Sequence, residues 1–287
     1  DPCTVMYTSG SGGAPKGVML THQGHVVQAL EKVAQVRYSP ETRYLNCVPL
    51  YHVGGMSSVL AVTMCGGAHY FLPKFDPPAV LRALGVYKIN TLVVVPTMVE
   101  MLLAHTHAQT HPQGGGGDGG AAFPDVLTLL VGGQSMGQDL IQRARTLFPS
   151  GTFIQTFACT EACSSITFSV ISTPTEHLSA AHAPREGRTQ EGQRVTCAPV
   201  GRPAHHVEVA VFGEEGERAP QGVVGRIGTR GMHVMQGYLK LPAETAAVLH
   251  RGWLLTGDVG FLDSDGVLCF ASRVTDRINT GGEKVFA

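Results

Sequence analysis

Tyr7-Thr8-Ser9-Gly10-Ser11-Gly12-Gly13-Ala14-Pro15-Lys16-Gly17 follows directly on the apolar pair Val5-Met6. From Thr8 to Gly17, ten positions hold four glycines, one proline, three hydroxyl side chains and one lysine. Glycine has no Cβ, so its backbone can approach a ligand closely. Successive N–H groups in such a turn form a concave anion site, and the hydroxyls add donors. A lysine at the end reaches outer phosphates as a mobile point charge. The stretch reads as a phosphate cradle behind a strand, which points to a nucleotide. The plainer alternative is a flexible Gly/Ser turn between two strands.

A Walker-type loop is excluded by the residues themselves. That loop requires a hydroxyl directly after lysine to hold magnesium, and here Gly17 follows Lys16. The chain has 287 residues, 43% of them hydrophobic, enough for one large or two modest domains with an ample core. A formal net charge of −1 gives no basis for nucleic acid or an anionic membrane as the main partner. The apolar stretch from Thr91 to Ala104 is too short to span a bilayer. Seven cysteines without C-x-x-C spacing read as reduced thiols, in a cytosolic or organellar compartment. No signal or transit peptide is present, and the cradle begins so near residue 1 that the chain reads as a fragment cut at both ends.

Strand and helix signals alternate through the first two-thirds. Helical spacing marks His22 to Val36, with Val26, Val27, Leu30, Val33 and Ala34 as its apolar positions. Leu45 to Leu50 and His69 to Leu72 read as strands, and Asp76-Pro77 starts a helix over Ala79 to Tyr87. Thr91 to Val95 is continuously apolar, as in a strand buried on both faces, and Pro96 opens the next helix. Leu127 to Val131 and Thr152 to Thr156 are further strands around a helix from Gln138 to Phe148. The expected fold is therefore α/β, a mostly parallel sheet covered by helices over residues 1–194. Within it, Gln109 to Ala122 is expected to be a disordered Gly-rich insertion, and Ser179 to Arg194 a polar loop. Short strands with tight turns then indicate a small β-rich subdomain over 195–272, with Asp265-Gly266 as a hairpin turn.

Phe157-Ala158-Cys159-Thr160-Glu161 follows the strand Thr152 to Thr156, at the strand end where open α/β sheets bind ligands. There Phe157 suits base stacking, Thr160 donation to a phosphate, and Glu161 a magnesium ion. A helix-capping Thr with Glu in the first turn is the structural alternative. In Trp253-Leu254-Leu255-Thr256-Gly257-Asp258, the carboxylate after glycine suits both ribose hydroxyls, or simply a turn.

The first stretch resembles T-S-G-[ST]-T-G-x-P-K-G, the signature loop of the adenylate-forming enzymes, with Gly12 where threonine is usual. Phe157 to Glu161 is similar to the family's Y-G-x-T-E, departing at Phe157 and Ala158. Asp258 falls on its T-G-D aspartate. Arg273-Val274-Thr275-Asp276-Arg277-Ile278-Asn279-Thr280-Gly281-Gly282-Glu283 resembles its ribose-contacting and hinge segment, with Ser272 and Thr275 departing. The resemblance implies the large N-terminal domain of such an enzyme, with a hinge at 273–287 and a C-terminal domain and its lysine lying beyond. It implies that a carboxylate attacks the α-phosphate of ATP, and that a thiol, usually coenzyme A, then displaces AMP. Lys16, Thr160 and Glu161 would be catalytic, with Mg²⁺ on Glu161. Thr8, Ser9, Gly10, Ser11, Gly12, Gly13, Lys16, Phe157, Thr160, Asp258 and Arg273 would hold the nucleotide. No side-chain nucleophile is required, and the chain alone is expected to form adenylate slowly or not at all.

For the acid, Pro49 to Gly55 is similar to the family's P-x-x-H-x-x-G segment, whose histidine, here His52, borders the acyl pocket. Gly132-Gly133-Gln134 resembles the Gly-Gly turn beside the substrate. Tyr51-His52-Val53-Gly54-Gly55-Met56-Ser57-Ser58, Leu72-Pro73-Lys74-Phe75-Asp76 and Thr160 to Ser165 look like the plant-type 2-succinylbenzoate–CoA ligases of phylloquinone synthesis. That resemblance makes Ser57, Ser58 and Ser164 candidate donors to the substrate's second carboxylate. It also implies a chloroplast address, with cytoplasm or peroxisome as alternatives. Ligases for a hydroxycinnamate or a fatty acid, a luciferase-like oxidase and a non-catalytic nucleotide-binding relative are the rivals.

Overall fold

The computed structural model describes residues 1–8, 14–110, 122–274, 277–280 and 283–286. The chain divides into two compact units. One comprises Asp1–Glu31, Phe157–Phe168 and His182–Ala287; the other comprises Lys32–Thr156 and Ser169–Ala181.

The chain opens with β1 (Pro2–Thr8), β2 (Lys16–Thr21) and α1 (His22–Val36). The second unit then builds β3 (Arg43–Asn46), α2 (Val53–Met64), β4 (Ala68–Phe71), α3 (Pro77–Tyr87) and β5 (Thr91–Val94). It continues through α4 (Pro96–Thr110), β6 (Thr128–Val131), α5 (Gln138–Leu147) and the start of β7 (Thr152–Cys159). Its strands pair in parallel in the order β4-β3-β5-β6-β7. All four residues of β5 are buried, as expected for a strand covered on both faces. Asp76 caps α3 by accepting from the Ala79 N–H at 3.1 Å, with Pro77 inside the first turn. Leu45, Val80, Leu84, Leu92, Leu102, Leu129, Ile141, Phe148 and Phe153 form the core between sheet and helices. Asn90 ties the strand starts together: its Oδ1 accepts from Arg43 N–H at 2.8 Å, and its Nδ2 donates to the Glu41 carbonyl at 2.9 Å.

Later elements are β8 (Ser164–Ser172), β9 (Arg185–Arg188), β10 (Arg194–Pro203), β11 (Glu208–Phe212), β12 (Gly225–Arg230) and β13 (Gly237–Tyr238). Then come α6 (Pro242–Val248), β14 (Leu249–His250), β15 (Trp253–Leu262), β16 (Leu268–Arg273), β17 (Arg277–Thr280) and β18 (Glu283–Phe286). In the first unit β11-β12-β15-β16-β10 is antiparallel, and β1-β2-β13 forms a separate three-stranded sheet. Strand β14 pairs with β15, β9 with β10, and β17 with β18. Phe261, Val259, Cys269, Cys197 and Val224 are among the core residues beneath the antiparallel sheet. Asp265-Gly266 lies in the β15–β16 turn, where Asp263 Oδ1 accepts from Asp265 N–H at 2.9 Å and Val267 N–H at 2.8 Å. No helix among the described residues is long and apolar enough to cross a membrane.

The cradle leaves through a strand, β2, which pairs antiparallel with β1, so its ends are Thr8 opposite Lys16. Three expectations change. The strand expected over Leu45 to Leu50 ends at Asn46. The polar stretch Ser179 to Arg194 contains β9, because Arg185 reaches Asp263 at 2.5 Å and Gly187 lets the Phe261 ring close on the backbone. Of the insertion expected at Gln109 to Ala122, residues 109 and 110 belong to α4, and 111–121 lie outside the described residues.

Helix α1 has its expected bounds but inverted faces. Val26 and Leu30 are exposed, while Gln28, Glu31 and Lys32 are buried. Gln28 Nε2 donates to the carbonyls of Ala162 and Ser165, at 3.1 and 2.7 Å. Glu31 accepts from His205 N–H at 3.1 Å, and its carboxylate also meets the His205 and His206 rings. Polar partners from distant segments, rather than apolar contacts, decide which face is covered.

Gly260 has no room for a methyl group, which would overlap the Cys269 carbonyl oxygen. Gly260→Ala is expected to cost about 2–3 kcal/mol in urea unfolding. His233 is fully buried with Nε2 2.9 Å from Thr229 Oγ1; burial, then the charge of His206, lowers its pKa to about 3. The unfolded chain, with histidine near 6.5, therefore binds more protons below that value, so stability is complete above it and falls on acidification. The fall amounts to about 2 kcal/mol between pH 7 and pH 5. His233→Asn is expected to flatten that limb in urea midpoints measured at the two pH values.

Candidate active site

Of the cradle, Thr8 and Lys16 are described and face each other across β1 and β2; Ser9, Gly10, Ser11, Gly12 and Gly13 lie outside the described residues. Lys16 is half-buried, and its Nζ sits 5.1 Å from the centre of the Tyr238 ring. Strand β7 delivers Phe157 to Cys159, and a short 3-10 turn over Thr160–Ala162 carries Thr160 and Glu161. No side-chain cap holds that turn; it closes where Cys163 (φ 55°) and Ser164 (φ 135°) take positive φ. Glu161 is fixed from both ends. Its carbonyl accepts from Met235 N–H at 2.8 Å, and its Oε1 accepts from the Tyr238 hydroxyl at 2.8 Å.

Asp258 and Arg273 come from motifs 15 positions apart, yet they are direct partners in the β15–β16 ladder. Gly257 takes φ 81° just before Asp258, and the carboxylate that follows is nearly buried, with Arg273 Nε 3.8 Å from its Oδ1. Arg273 itself is largely exposed, which leaves its guanidinium donors facing solvent. The Phe157 ring packs on the core of Val200, Ile227 and Leu268, tilted 42° to Phe270 at 6.2 Å. Lys16, Phe157, Thr160, Glu161, Asp258 and Arg273 thus all belong to the first unit.

The Cys159 thiol reports the charge of this region. Burial first, and then the carboxylates of Glu161 and Asp258, push its pKa well above the usual thiol value. A neutral thiol is a poor nucleophile, which fits chemistry that uses none. None of the seven cysteines is in a disulfide.

Among the acyl-side residues, His52 stands at the N-terminal end of α2 with extended backbone and makes no side-chain cap; its exposed ring lies 4.6 Å from that of Tyr51. Gly132 N–H donates to the Val94 carbonyl at 3.1 Å, Gly133 takes φ 79°, and Gln134 is exposed. Ser164 is buried at the strained turn after Glu161. Ser57 and Ser58 differ from the expectation. Both are buried and accept from Lys32 Nζ, at 2.6 and 3.0 Å, while Ser57 Oγ also lies 2.7 Å from the Val53 carbonyl. In this structure their hydroxyls hydrogen-bond the buried Lys32 side chain.

Two residues escaped the sequence reading. Lys32 lies on α1, where a lysine ordinarily marks the solvent face. Tyr238 sits in Gly237-Tyr238-Leu239-Lys240, and no nearby acid or glycine cluster signals it. Its partners are 77 positions away for Glu161, and on the facing strand β2 for Lys16.

Residues 1–239 match the family model described as AMP-binding enzyme. The chain is 34% identical to a 2-succinylbenzoate–CoA ligase of Arabidopsis thaliana, described as chloroplastic/peroxisomal, covering all of this chain and 49% of that protein. A feruloyl-CoA synthase of an Amycolatopsis species is 32% identical, with 52% of its length covered. The o-succinylbenzoate CoA synthetase of Bacillus subtilis in complex with ATP and magnesium superposes with a TM-score of 0.78 at 25% identity. That superposition covers 99% of this chain and 52% of the synthetase. The chain spans about half the length of the curated relatives it matches.

Removing either hydroxyl takes one hydrogen bond from the buried Lys32 side chain. Ser58→Ala is expected to lower stability by about 1.5–3 kcal/mol in urea unfolding; an unchanged midpoint would return Ser58 to the substrate.

Proposed function

Because the chain belongs to the AMP-binding enzyme family, we propose that its parent protein is an ATP-dependent carboxylate–CoA ligase working through an acyl-adenylate. The observation that carries this is the gathering of Lys16, Thr160, Glu161, Asp258 and Arg273 in one unit, from four separate motifs. MgATP is the co-substrate. Glu161 offers a hard oxygen donor, and among the described residues no three His, Cys, Asp or Glu side chains gather as a metal site. Magnesium commonly binds one or two carboxylates plus substrate phosphates, so a single carboxylate fits a metal that arrives with the nucleotide. Lys16 and the cradle amides neutralise charge on the departing pyrophosphate, Thr160 donates to a phosphate, Asp258 takes the ribose hydroxyls, and Phe157 meets the base. The acid itself is the nucleophile toward the α-phosphate, and coenzyme A takes the acyl group in the second step. Residues 273–287 act as the hinge.

Within this reading the favoured acid is 2-succinylbenzoate, in phylloquinone synthesis. The support is the local strings around His52 and Thr160, together with relatives of that name from a plant and from Bacillus pumilus. A plastid address is the proposed location, with the peroxisome as alternative, after the plant relative described as chloroplastic/peroxisomal. His52 and the Gly132-Gly133-Gln134 turn are the proposed acyl-side residues of the second unit, and Ser164 is the proposed donor of the first. Ser57 and Ser58 act through Lys32.

The test is thioester formation by the full-length protein with ATP, Mg²⁺ and coenzyme A. 2-Succinylbenzoate is expected to outcompete 4-coumarate and a medium-chain fatty acid; preference for another acid would keep the ligase and discard the substrate. Asp258→Ala is expected to raise KM for ATP about 10- to 100-fold, the loss of charge-assisted hydrogen bonds worth about 1.5–3 kcal/mol. An unchanged KM would remove Asp258 from the ribose.

A further inference from the structure

Tyr238 joins two charges that the sequence keeps in separate motifs. Its hydroxyl donates to Glu161 Oε1 at 2.8 Å, while its ring face lies 5.1 Å from Lys16 Nζ. The backbone holds that ring in place. In the β13–β2 pairing Tyr238 is opposite Val18 and Gly237 opposite Met19. Leu239 N–H donates to the Gly17 carbonyl at 2.7 Å, and Gln236 N–H to the Met19 carbonyl at 2.9 Å. Thr245 Oγ1 accepts from Tyr238 N–H at 2.9 Å and itself donates to the Leu241 carbonyl at 2.7 Å. Gly237 takes φ 148°, and a Cβ there would come within 2.8 Å of Thr245, so the threonine closes tightly on the strand.

Each contact has a separate physical job. A hydrogen bond to a carboxylate is charge-assisted and roughly twice as strong as a neutral one. It restrains the rotation of a carboxylate on a short turn that lacks a side-chain cap. The ring quadrupole attracts an ammonium group weakly enough to release it to a phosphate.

We propose that Tyr238 is a positioning residue for nucleotide binding, setting Glu161 for the metal of MgATP through its hydroxyl and Lys16 for the phosphates through its ring. The proposal rests on the ligase reading above for its ligand. It makes no demand on which acid is used, or on whether the acid reacts.

Calorimetric titration of the full-length protein with ATP, with and without Mg²⁺, separates the two jobs. Tyr238→Phe keeps the ring, and is expected to weaken MgATP about tenfold while changing metal-free ATP less than twofold. Tyr238→Leu is expected to weaken both. Equal losses for the two ligands in Tyr238→Phe, or no loss, would overturn the proposal. Should either variant fail to fold, Thr245→Val loosens the Tyr238 backbone without touching either charge. It is expected to show the same metal-selective loss in smaller measure, and its absence would count against the proposal. Thioester formation by the wild-type protein is recorded alongside. MgATP binding without turnover on any acid would remove the ligase reading and leave Tyr238 to be judged by its variant. Failure of the wild-type protein to bind MgATP would overturn both.

Discussion

A buried phenol donating to a carboxylate on a short turn is the interaction on which the candidate site depends. The turn Thr160–Ala162 has no side-chain cap and ends in two residues of positive φ, a conformation that costs roughly 1–3 kcal/mol per residue outside glycine. Its geometry is therefore imposed from outside. Strand β13 and the residues just before it supply the restraint: Met235 N–H donates to the Glu161 carbonyl, the Tyr238 hydroxyl donates to its carboxylate, and the same few residues are stitched along β2, the strand that carries Lys16. A second antiparallel pairing does the equivalent for the ribose side by setting Asp258 opposite Arg273. Both halves of the site are thus registers of β-ladders, and a one-residue slip in either would turn a charged side chain to the wrong face.

The electrostatics suit transfer chemistry without a protein nucleophile. Two cations, Lys16 and Arg273, and two carboxylates, Glu161 and Asp258, stand in one unit. The thiol nearest the carboxylates is held protonated by burial and by their charge. Positioned charge of this kind can stabilise a departing anionic group because it needs little reorganisation as a reaction proceeds.

Much of this was legible in the residues. Strand β5 and helices α3 and α5 followed from apolar runs and, for α3, its cap, because those signals are local. The bounds of α1 were legible too, but not its faces. Periodicity assigns burial by hydrophobicity, whereas Gln28 and Glu31 are buried by hydrogen bonds to residues more than 130 positions away. The partner of Ser57 and Ser58 was hidden for the same reason, since Lys32 comes to them from another helix. The β9 strand was hidden by its charges, which find partners only once the sheet forms. Tyr238 was invisible because its role exists only in the pairing of β13 with β2.

The most direct test of one shared nucleotide site is a crystal structure of the full-length protein with MgATP. The account predicts the ribose hydroxyls about 3 Å from the Asp258 carboxylate, the metal on Glu161, and Tyr238 still hydrogen-bonded to that side chain. A nucleotide bound away from Asp258, or a metal held without Glu161, would contradict it.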